Sequence, residues 1–353
     1  MSEAAVAPKP EQKPHVELDV LKAAKSWLSH DGSIALATVI ETWGSAPVPI
    51  GGQMAIAKDG RFQGSVSGGC IENDIIVEAE EVLGGDGKPK TLSFGIADET
   101  AWRAGLPCGG QIKVLIERFD ASGAPIIDRS IGARETRRGL VIRTDVKSGA
   151  HEVFERGDSN PPEVADRFRS GESKLVETPD GNVFLQALVP PARVIIVGAT
   201  HLAQLLAEQV KLVGYELIVV DPRTAYASDT RFADVRMVTE WPQDALPAIG
   251  LDPYTAVVAL AHVAHLDDEA LKVALKHDCL YVGALGSTRN HAKRTERLKE
   301  VGFSDLEIAR IKAPIGIDIG AQTPAEISVS IMADIIRSLR GTKAGKKNAG
   351  KSV

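Results

Sequence analysis

The chain has 353 residues and a formal net charge of −6, with apolar and charged fractions that are ordinary for a folded protein. Single hydrophobic cores stop growing at roughly 250–300 residues, so this length predicts two domains. The acidic balance argues against a nucleic-acid-binding protein, which needs a basic surface. No apolar run approaches the roughly 20 residues of a membrane-spanning helix, and residues 1–14 lack the apolar stretch of a secretory signal. We therefore expect a cytoplasmic protein with no membrane partner.

Three cysteines, Cys70, Cys108 and Cys279, lie far apart in the sequence. Their odd number and wide spacing fit a reducing compartment better than a disulfide framework, and no C-x-x-C zinc spacing is present. Residues 1–15 are rich in alanine, proline and lysine, and residues 342–353 are basic and glycine-rich, so both ends are predicted to be disordered tails. The Pro190-Pro191 pair ends the first domain, which predicts domains over 16–190 and 191–341.

Helices and strands are both predicted in the first domain. Apolar residues at helical spacing predict helices over 20–28 and 71–83. Asp59-Gly60 is typical of a hairpin turn between two strands. The predicted strands cover residues 34–40, 54–57, 62–66, 92–94, 112–117, 139–144 and 183–188. These patterns predict an α+β domain rich in strands, with the stretch 91–189 made mostly of strands.

Strands and helices alternate in the second domain. The predicted strands cover residues 193–197, 217–221, 236–238, 256–261 and 280–285, and the predicted helices 202–213, 266–276 and 289–301. A last helix has Thr323 as N-cap, Pro324 at its first position, Glu326 closing a capping box and Gly341 past its end. This alternation predicts a doubly wound, parallel sheet of the Rossmann type.

The turn after the first strand of this sheet resembles a dinucleotide-binding fingerprint without its middle glycine. The pattern G-x-G-x-x-G/A begins at Gly198, but Thr200 stands at the second glycine, where its β-carbon would crowd a pyrophosphate and its hydroxyl would suit one phosphate. Asp221 lies about 20 residues further on, where an acidic side chain binds a ribose. Asp221 alternatively pairs with Arg223 within the loop. An NAD(P)-dependent oxidoreductase is thus one hypothesis for the function.

Two further polar turns follow strands of the second domain. Gly286 and Ser287 precede a basic helix and form either a docking point for an anion or the start of a solvated basic face. Four side chains after the 256–261 strand either bind a metal or handle protons, or cap the next helix, and we favour capping. These four are His262, His265, Asp267 and Asp268.

Two of the cysteines adjoin glycine pairs, in Gly68-Gly69-Cys70 and Cys108-Gly109-Gly110. Cys70 directly precedes a predicted helix, whose N-terminal partial charge favours a thiolate. It is thus a nucleophile, a metal or sulfur ligand, or part of an oxyanion cradle. The alternative is a small buried apolar side chain, which is the usual role of a lone cysteine and fits Cys279 best.

Several segments together resemble the XdhC/CoxI family. In the first domain these are residues 38–47, the Ser-Gly-Gly-Cys-Ile-Glu element at 67–72, and Cys-Gly-Gly at 108–110. In the second domain, residues 197–203, 220–223, 281–287 and the Pro-Ile-Gly-Ile-Asp-Ile-Gly element within 313–321 are similar to that family's Rossmann-like domain. The resemblance covers nearly the whole chain between the two tails.

This resemblance implies an accessory factor rather than a catalyst. It implies binding of the molybdenum cofactor (molybdopterin), protection of its sulfurated form, and insertion into an apo molybdenum hydroxylase such as xanthine dehydrogenase or carbon monoxide dehydrogenase. A cysteine desulfurase is the implied partner, and a homodimer the implied assembly. Cys70 and Cys108 are the expected metal ligands.

The expected cofactor-binding residues lie in both domains. Those of the first domain are Ser67, Gly68, Gly69, Cys70, Glu72, Cys108, Gly109 and Gly110. Those of the second domain are Gly198, Thr200, His201, Asp221, Arg223, Gly286 and Ser287. The chain departs from the family pattern at Val48, Pro107, Thr200 and Gln322, so we expect the cofactor's oxygens to rely on backbone N–H groups beside the two glycine pairs.

Overall fold

The computed structural model describes residues 16–44, 46–95, 110–157, 159–226 and 230–341. The chain divides into two compact units between Pro190 and Pro191. In the described part, no helix is both long and apolar enough to cross a membrane. The predicted strands and helices are all present, with ends that shift by a few residues.

The first unit contains two antiparallel sheets and four described helices. Its helices are α1 (Val16–Asp31), α2 (Glu72–Gly84), α3 (Ala124–Glu135) and α4 (Pro162–Ser170). Its strands are β1 (Ile34–Trp43), β2 (Gln53–Ile56), β3 (Phe62–Gly64), β4 (Lys90–Phe94), β5 (Gln111–Phe119), β6 (Leu140–Asp145), β7 (His151–Glu155), β8 (Lys174–Thr178) and β9 (Gly181–Leu188). The sheet orders are β3-β2-β1-β5-β4 and β7-β6-β9-β8.

The long pair β1 and β5 forms the centre of the first sheet. One face of this sheet packs against α2, where Ile75 and Ala79 meet the alternate strand residues Ala37 and Ile116. The other face packs against α1 and α3 through Leu21 and other apolar side chains. This arrangement follows from the period of two along a strand, which sends successive side chains to opposite faces.

Helices α3 and α4 lie within residues 91–189, which are predicted from the sequence to be mostly strands, so that prediction is wrong for these two segments. Helix α4 buries only two side chains, Val164 and Phe168, which is too short a stripe to be read as helical periodicity. Helix α3 contains Gly132 and Ser130, which weaken the helical pattern. Strands β7 and β8 were also missed, because both are partly exposed edge strands without a clear alternation.

The second unit is a six-stranded parallel sheet with helices on both faces. Its strands are β10 (Arg193–Val197), β11 (Glu216–Val220), β12 (Arg236–Val238), β13 (Thr255–Ala259), β14 (Tyr281–Ala284) and β15 (Ile311–Lys312), in the order β12-β11-β10-β13-β14-β15. Its helices are α5 (His201–Leu212), α6 (Pro242–Ile249), α7 (Ala264–Leu275), α8 (Thr288–Glu300), α9 (Asp305–Ile308) and α10 (Pro324–Arg340).

Burial of β10 on both faces explains its continuous apolar run. Val194 and Ile196 contact one core cluster, with α5 and α10, whereas Ile195 and Val197 contact another, with α7. A parallel sheet covered on both faces needs such strands. The strand order reverses between β10 and β13, so the carboxyl ends of these two strands flank the crevice where ligands of such sheets bind.

The N-terminal cap of α10 provides a first test of this fold. The Thr323 hydroxyl accepts from the Glu326 N–H, while the Glu326 carboxylate accepts from the Thr323 N–H at 2.8 Å. We expect Thr323→Ala to lower the free energy of unfolding by about 1 kcal/mol, because one helix-end donor loses its acceptor. Urea denaturation measures this. The control is Thr288→Ala, at an exposed helix start whose hydroxyl has no hydrogen bond in the described structure, and an equal loss there would contradict the prediction.

Candidate functional site

The segment 65–71, here called the cysteine loop, joins β3 to α2 and carries Cys70. Gly68 and Gly69 have φ values of +82° and +112°, a conformation that side chains disfavour, so the glycine pair is required by the path of the backbone. The loop ends two residues after Gly69, where helix α2 begins at Glu72. Cys70 therefore lies just before a helix N-terminus, as predicted.

Glu72 turns back from the first turn of α2 into the cysteine loop. The residue is only 7% exposed, and its carboxylate accepts six hydrogen bonds from this loop. Two come from hydroxyls and four from backbone N–H groups. The donors are the Ser65 hydroxyl (2.5 Å), the Ser67 hydroxyl (2.5 Å), and the N–H groups of Val66 (3.2 Å), Ser67 (2.9 Å), Gly69 (2.9 Å) and Ile71 (3.2 Å).

The remaining backbone donors of the loop are also used internally. The Gly68 N–H donates to the Ser65 hydroxyl oxygen at 2.8 Å, and the Cys70 N–H donates to the Ser67 hydroxyl oxygen at 3.0 Å. Every N–H group from 66 to 71 therefore donates to a side chain of the loop or of Glu72. The N–H groups near Gly68 to Cys70, which are predicted from the sequence to bind the cofactor's oxygens, donate to Ser65, Ser67 and Glu72 in this structure.

The Glu72 carboxylate is strongly stabilised in its charged form. Burial alone would raise its pKa, but hydrogen bonds from the Ser65 and Ser67 hydroxyls and from the Ser67 N–H outweigh burial. The net effect lowers the pKa of Glu72 to about 2. At neutral pH a negative charge thus lies at the N-terminus of α2, where the helix dipole also favours it.

The cysteine loop lies at the end of the first sheet where β5 begins. The half-buried Cys70 packs on the same apolar cluster as Ile112, the second residue of β5, and the backbone at Gly68 lies against Pro47. Gly110 directly precedes β5 and is described. Cys108 and Gly109 lie outside the described residues, so their predicted roles stay predictions.

Trp43 and Lys113 lie at this end of the sheet and were not singled out from the sequence. Trp43 is 44% exposed, the Lys113 Nζ lies 5.3 Å from its ring centroid, and Lys113 also pairs with Glu41 at 2.7 Å. Trp43 is opposite Gln111 in the register of β1 and β5. No local pattern predicts such a cluster, because the register of strands distant in sequence creates it.

In the turn between β10 and α5, Gly198 has a φ of +103° and packs tightly against the loop that follows β13. A β-carbon at this residue would lie 2.3 Å from both the Cα and the backbone nitrogen of Ala261. Thr200 is the N-cap of α5, and its hydroxyl accepts from the Ala203 N–H at 3.3 Å. His201, the first residue of α5, is exposed. Gly198 thus serves close packing, and Thr200 serves capping.

Asp221 forms the internal pair that the sequence left open as an alternative. It is completely buried, with one oxygen accepting from the Ala199 N–H at 2.7 Å and from the Arg223 Nη2 at 2.7 Å. The other oxygen accepts from the Arg223 N–H and Nε, both at 2.9 Å. Although burial opposes the charged form, these bonds lower the pKa of Asp221. Both oxygens are thus engaged within the protein rather than presented to a ribose.

Arg223 also stacks on an aromatic ring that the sequence did not indicate. Its guanidinium carbon lies 4.2 Å from the ring centroid of Tyr226, and that of Arg231 lies 5.7 Å from the same ring. Arg231 further donates to the carbonyl oxygens of Ala199 and Tyr226 at 2.9 and 2.8 Å. Two arginines therefore fix the loops that follow β10 and β11.

The basic helix after Gly286 is tied to the neighbouring helix by ion pairs. Ser287 is the N-cap of α8, as predicted, and its hydroxyl accepts from the Asn290 N–H at 3.3 Å. Arg294 is buried and donates to the Leu285 carbonyl at 3.0 Å, while Arg297 Nε donates to Asp268 at 2.6 Å. Part of the basic charge is therefore neutralised within the protein.

The polar side chains that follow β13 form contacts within the second unit. Asp267 accepts from the Ala261 N–H at 3.1 Å, and burial raises the pKa of Asp267 to about 6. His262 is exposed with a φ of +56°, and the His265 ring lies 5.6 Å from that of Trp241. Over the described ranges, no group of three or more His, Cys, Asp or Glu side chains is placed to hold a metal ion.

Comparison with known proteins identifies related sequences for both units. The family model described as "XdhC and CoxI family" matches residues 27–95, and that described as "XdhC Rossmann domain" matches residues 194–335. The molybdenum cofactor insertion chaperone PaoD of Escherichia coli K12 is 28% identical over 314 residues, which cover 89% of this chain and 85% of that protein.

Two Bacillus proteins are similar over nearly their whole length. One, from Bacillus subtilis 168, is named as a probable xanthine dehydrogenase subunit and is 28% identical over 339 residues, covering 92% of this chain and 97% of that protein. A crystal structure titled as a xanthine dehydrogenase from Bacillus halodurans is 25% identical, with a TM-score of 0.57, and covers 93% of this chain and 98% of that one. The mixed α/β fold and its Rossmann domain, both predicted from the sequence, are confirmed.

Proposed function

Since this chain belongs to the XdhC/CoxI family, we propose that it binds the molybdenum cofactor, protects it and inserts it into a molybdenum hydroxylase such as xanthine dehydrogenase. The names of the relatives support this proposal, because one is a molybdenum cofactor insertion chaperone and another is a probable component of a xanthine dehydrogenase. In this function the cofactor is cargo, and the chain acts as an accessory factor and not as a catalyst.

The cysteine loop is the observation that carries the proposal. A thiol is a soft ligand that suits a sulfur-bearing metal centre better than a carboxylate or a carbonyl does. Cys70 is half-buried on a loop whose backbone donors are all engaged, so its position is defined before any ligand arrives. Such preorganisation reduces the entropy lost on binding. We propose Cys70 as the residue of this loop that faces molybdenum.

The other parts of the proposal rest on the family resemblance. Cys108 is proposed as a second ligand, with Gly109 and Gly110 beside it. A cysteine desulfurase partner, a homodimer and a cytoplasmic location are also part of the proposal. Carbon monoxide dehydrogenase is an alternative client to xanthine dehydrogenase.

A nicotinamide-dependent oxidoreductase is not favoured as the function. Thr200 replaces the glycine that would let a pyrophosphate approach, and it caps α5. Asp221, the residue expected to bind a ribose, is completely buried in its pair with Arg223. These two observations weigh against a dinucleotide in the usual position at this turn, although the domain keeps the Rossmann fold.

Cys70→Ser is expected to reduce the bound molybdenum and pterin at least about tenfold, because the ligand sulfur is lost. The protein is purified without oxygen from a host that makes the cofactor, and both components are quantified per chain. Cys279→Ser is the matched control, since burial raises the pKa of the Cys279 thiol to about 12 and its sulfur donates to the Ala274 carbonyl. Equal cofactor in Cys70→Ser and wild type would refute the role of Cys70, and a wild type without cofactor would refute the function.

A further inference from the structure

The hydrogen-bond donors around Glu72 are arranged like those of oxyanion-binding loops at helix N-termini in other proteins. Backbone N–H groups of a glycine-containing loop converge at the N-terminus of a helix, which is a favourable place for negative charge. Here four N–H groups and two serine hydroxyls converge on one carboxylate that belongs to the chain. Glu72 thus occupies the position that the oxygens of an external anion would take.

We infer that Glu72 determines the ligand specificity of the cysteine loop, by denying the loop's backbone donors to free oxyanions. This inference rests on the proposed function, because selectivity against oxyanions matters only if the loop binds the molybdenum cofactor. Inorganic oxyanions such as molybdate, sulfate and phosphate are the excluded class.

Two properties of Glu72 make this exclusion effective. The carboxylate is attached to the chain, so it reaches its donors without the loss of translational freedom that a dissolved anion suffers. Its negative charge also repels a second anion at the same donors. A ligand that contacts the loop through a soft metal and the Cys70 sulfur avoids this competition, whereas a ligand that depends on oxyanion contacts with the loop does not.

The inference predicts a gain of binding in Glu72→Ala. Without the carboxylate, the N–H groups of Val66, Ser67 and Gly69 are left for an external anion, together with the Ser65 and Ser67 hydroxyls. We expect molybdate and sulfate to bind Glu72→Ala at least about tenfold more tightly than the wild type, measured by isothermal titration with the full chain. The control is Glu81→Ala, which removes an exposed carboxylate from the same helix and should leave anion binding at the wild-type level.

Alkylation of Cys70 by iodoacetamide reports whether the anion occupies the loop. In Glu72→Ala, molybdate or acetate should shift the alkylation rate of Cys70 back toward the wild-type rate, because the added anion restores the missing acceptor. In the wild type, millimolar molybdate should leave the rate unchanged. This wild-type measurement shows whether the loop accepts molybdate, even if Glu72→Ala fails to fold.

Two results would overturn the inference. One is a folded Glu72→Ala that binds molybdate and sulfate no more tightly than the wild type. The other is protection of Cys70 by molybdate in the wild type, which would show that the loop already accepts oxyanions. Both tests use simple anions and no cofactor, so they are independent of the cofactor analysis of Cys70→Ser, which tests the proposed function itself.

Discussion

Gly198→Ala is expected to destabilise the second unit by about 4 kcal/mol, since backbone strain and a steric clash add together. The residue has a φ of +103°, which an alanine disfavours. The new β-carbon would also lie 2.3 Å from the Cα and the nitrogen of Ala261, and a backbone cannot move aside as the end of a side chain can. Relief of the clash would require the loops after β10 and β13 to separate.

The matched control for this prediction is Gly214→Ala in the same unit. Gly214 also has a positive φ, +76°, but apart from its own chain neighbours no described atom lies within 4 Å of the position of its β-carbon. This substitution should cost only about 1 kcal/mol from backbone strain. Urea denaturation of both variants, followed by circular dichroism, compares the two losses. Similar losses would show that the contact with Ala261 is not important for stability.

Glu72→Gln is expected to lower the free energy of unfolding by about 3 kcal/mol near pH 7, and the loss should shrink as the pH falls. The folded protein holds the pKa of Glu72 at about 2, below the 4.5 of an ordinary glutamate. A lowered pKa stabilises the fold at pH values above the unfolded pKa, and this stabilisation disappears as the pH falls from about 4.5 toward about 2. Glutamine has no such dependence.

Urea denaturation of the wild type and Glu72→Gln over a range of pH measures this dependence. The two unfolding free energies should differ most at neutral pH and converge in acid. Glu81→Gln, on the exposed part of the same helix, should differ little from the wild type at any pH. A constant difference between Glu72→Gln and the wild type would mean that the charge of Glu72 does not contribute to stability.

The last helix shows which parts of the fold a sequence can predict. Its N-cap, first proline, capping box and terminal glycine are all present as predicted, at Thr323, Pro324, Glu326 and Gly341. Each signal depends on residues within a few positions of one another. The alternation of the second unit was likewise predictable, because strands buried on both faces are continuous apolar runs.

Helices α3, α4 and α6 were not predictable in the same way. Helix α6 contains Pro247 in its interior, and a proline there is normally taken as the end of a helix. Helix α4 buries only Val164 and Phe168. Contacts with distant strands stabilise such short helices, so their own residues show little of the periodic pattern that predicts a helix.

The candidate site was only partly predictable for the same reason. The glycine pairs and the family resemblance identified the segment that contains Ser67, Cys70 and Glu72. Neither showed that the Glu72 carboxylate turns back onto the loop, since its serine donors lie five and seven positions earlier and match no capping pattern. For Asp221, the sequence correctly included the pair with Arg223 as an alternative, and only the three-dimensional contacts distinguish it from a ribose contact.

The strand order of the second unit has a consequence for its synthesis on the ribosome. Strand β10 lies between β11, which follows it closely in the chain, and β13, which begins only at Thr255. During translation the half-sheet of β10, β11 and β12 is complete while the other side of β10 still lacks its neighbour. That side presents unpaired backbone groups and the apolar residues of β10, which is the state in which nascent sheets aggregate. Chaperone binding to the nascent chain should therefore be strongest before β13 emerges.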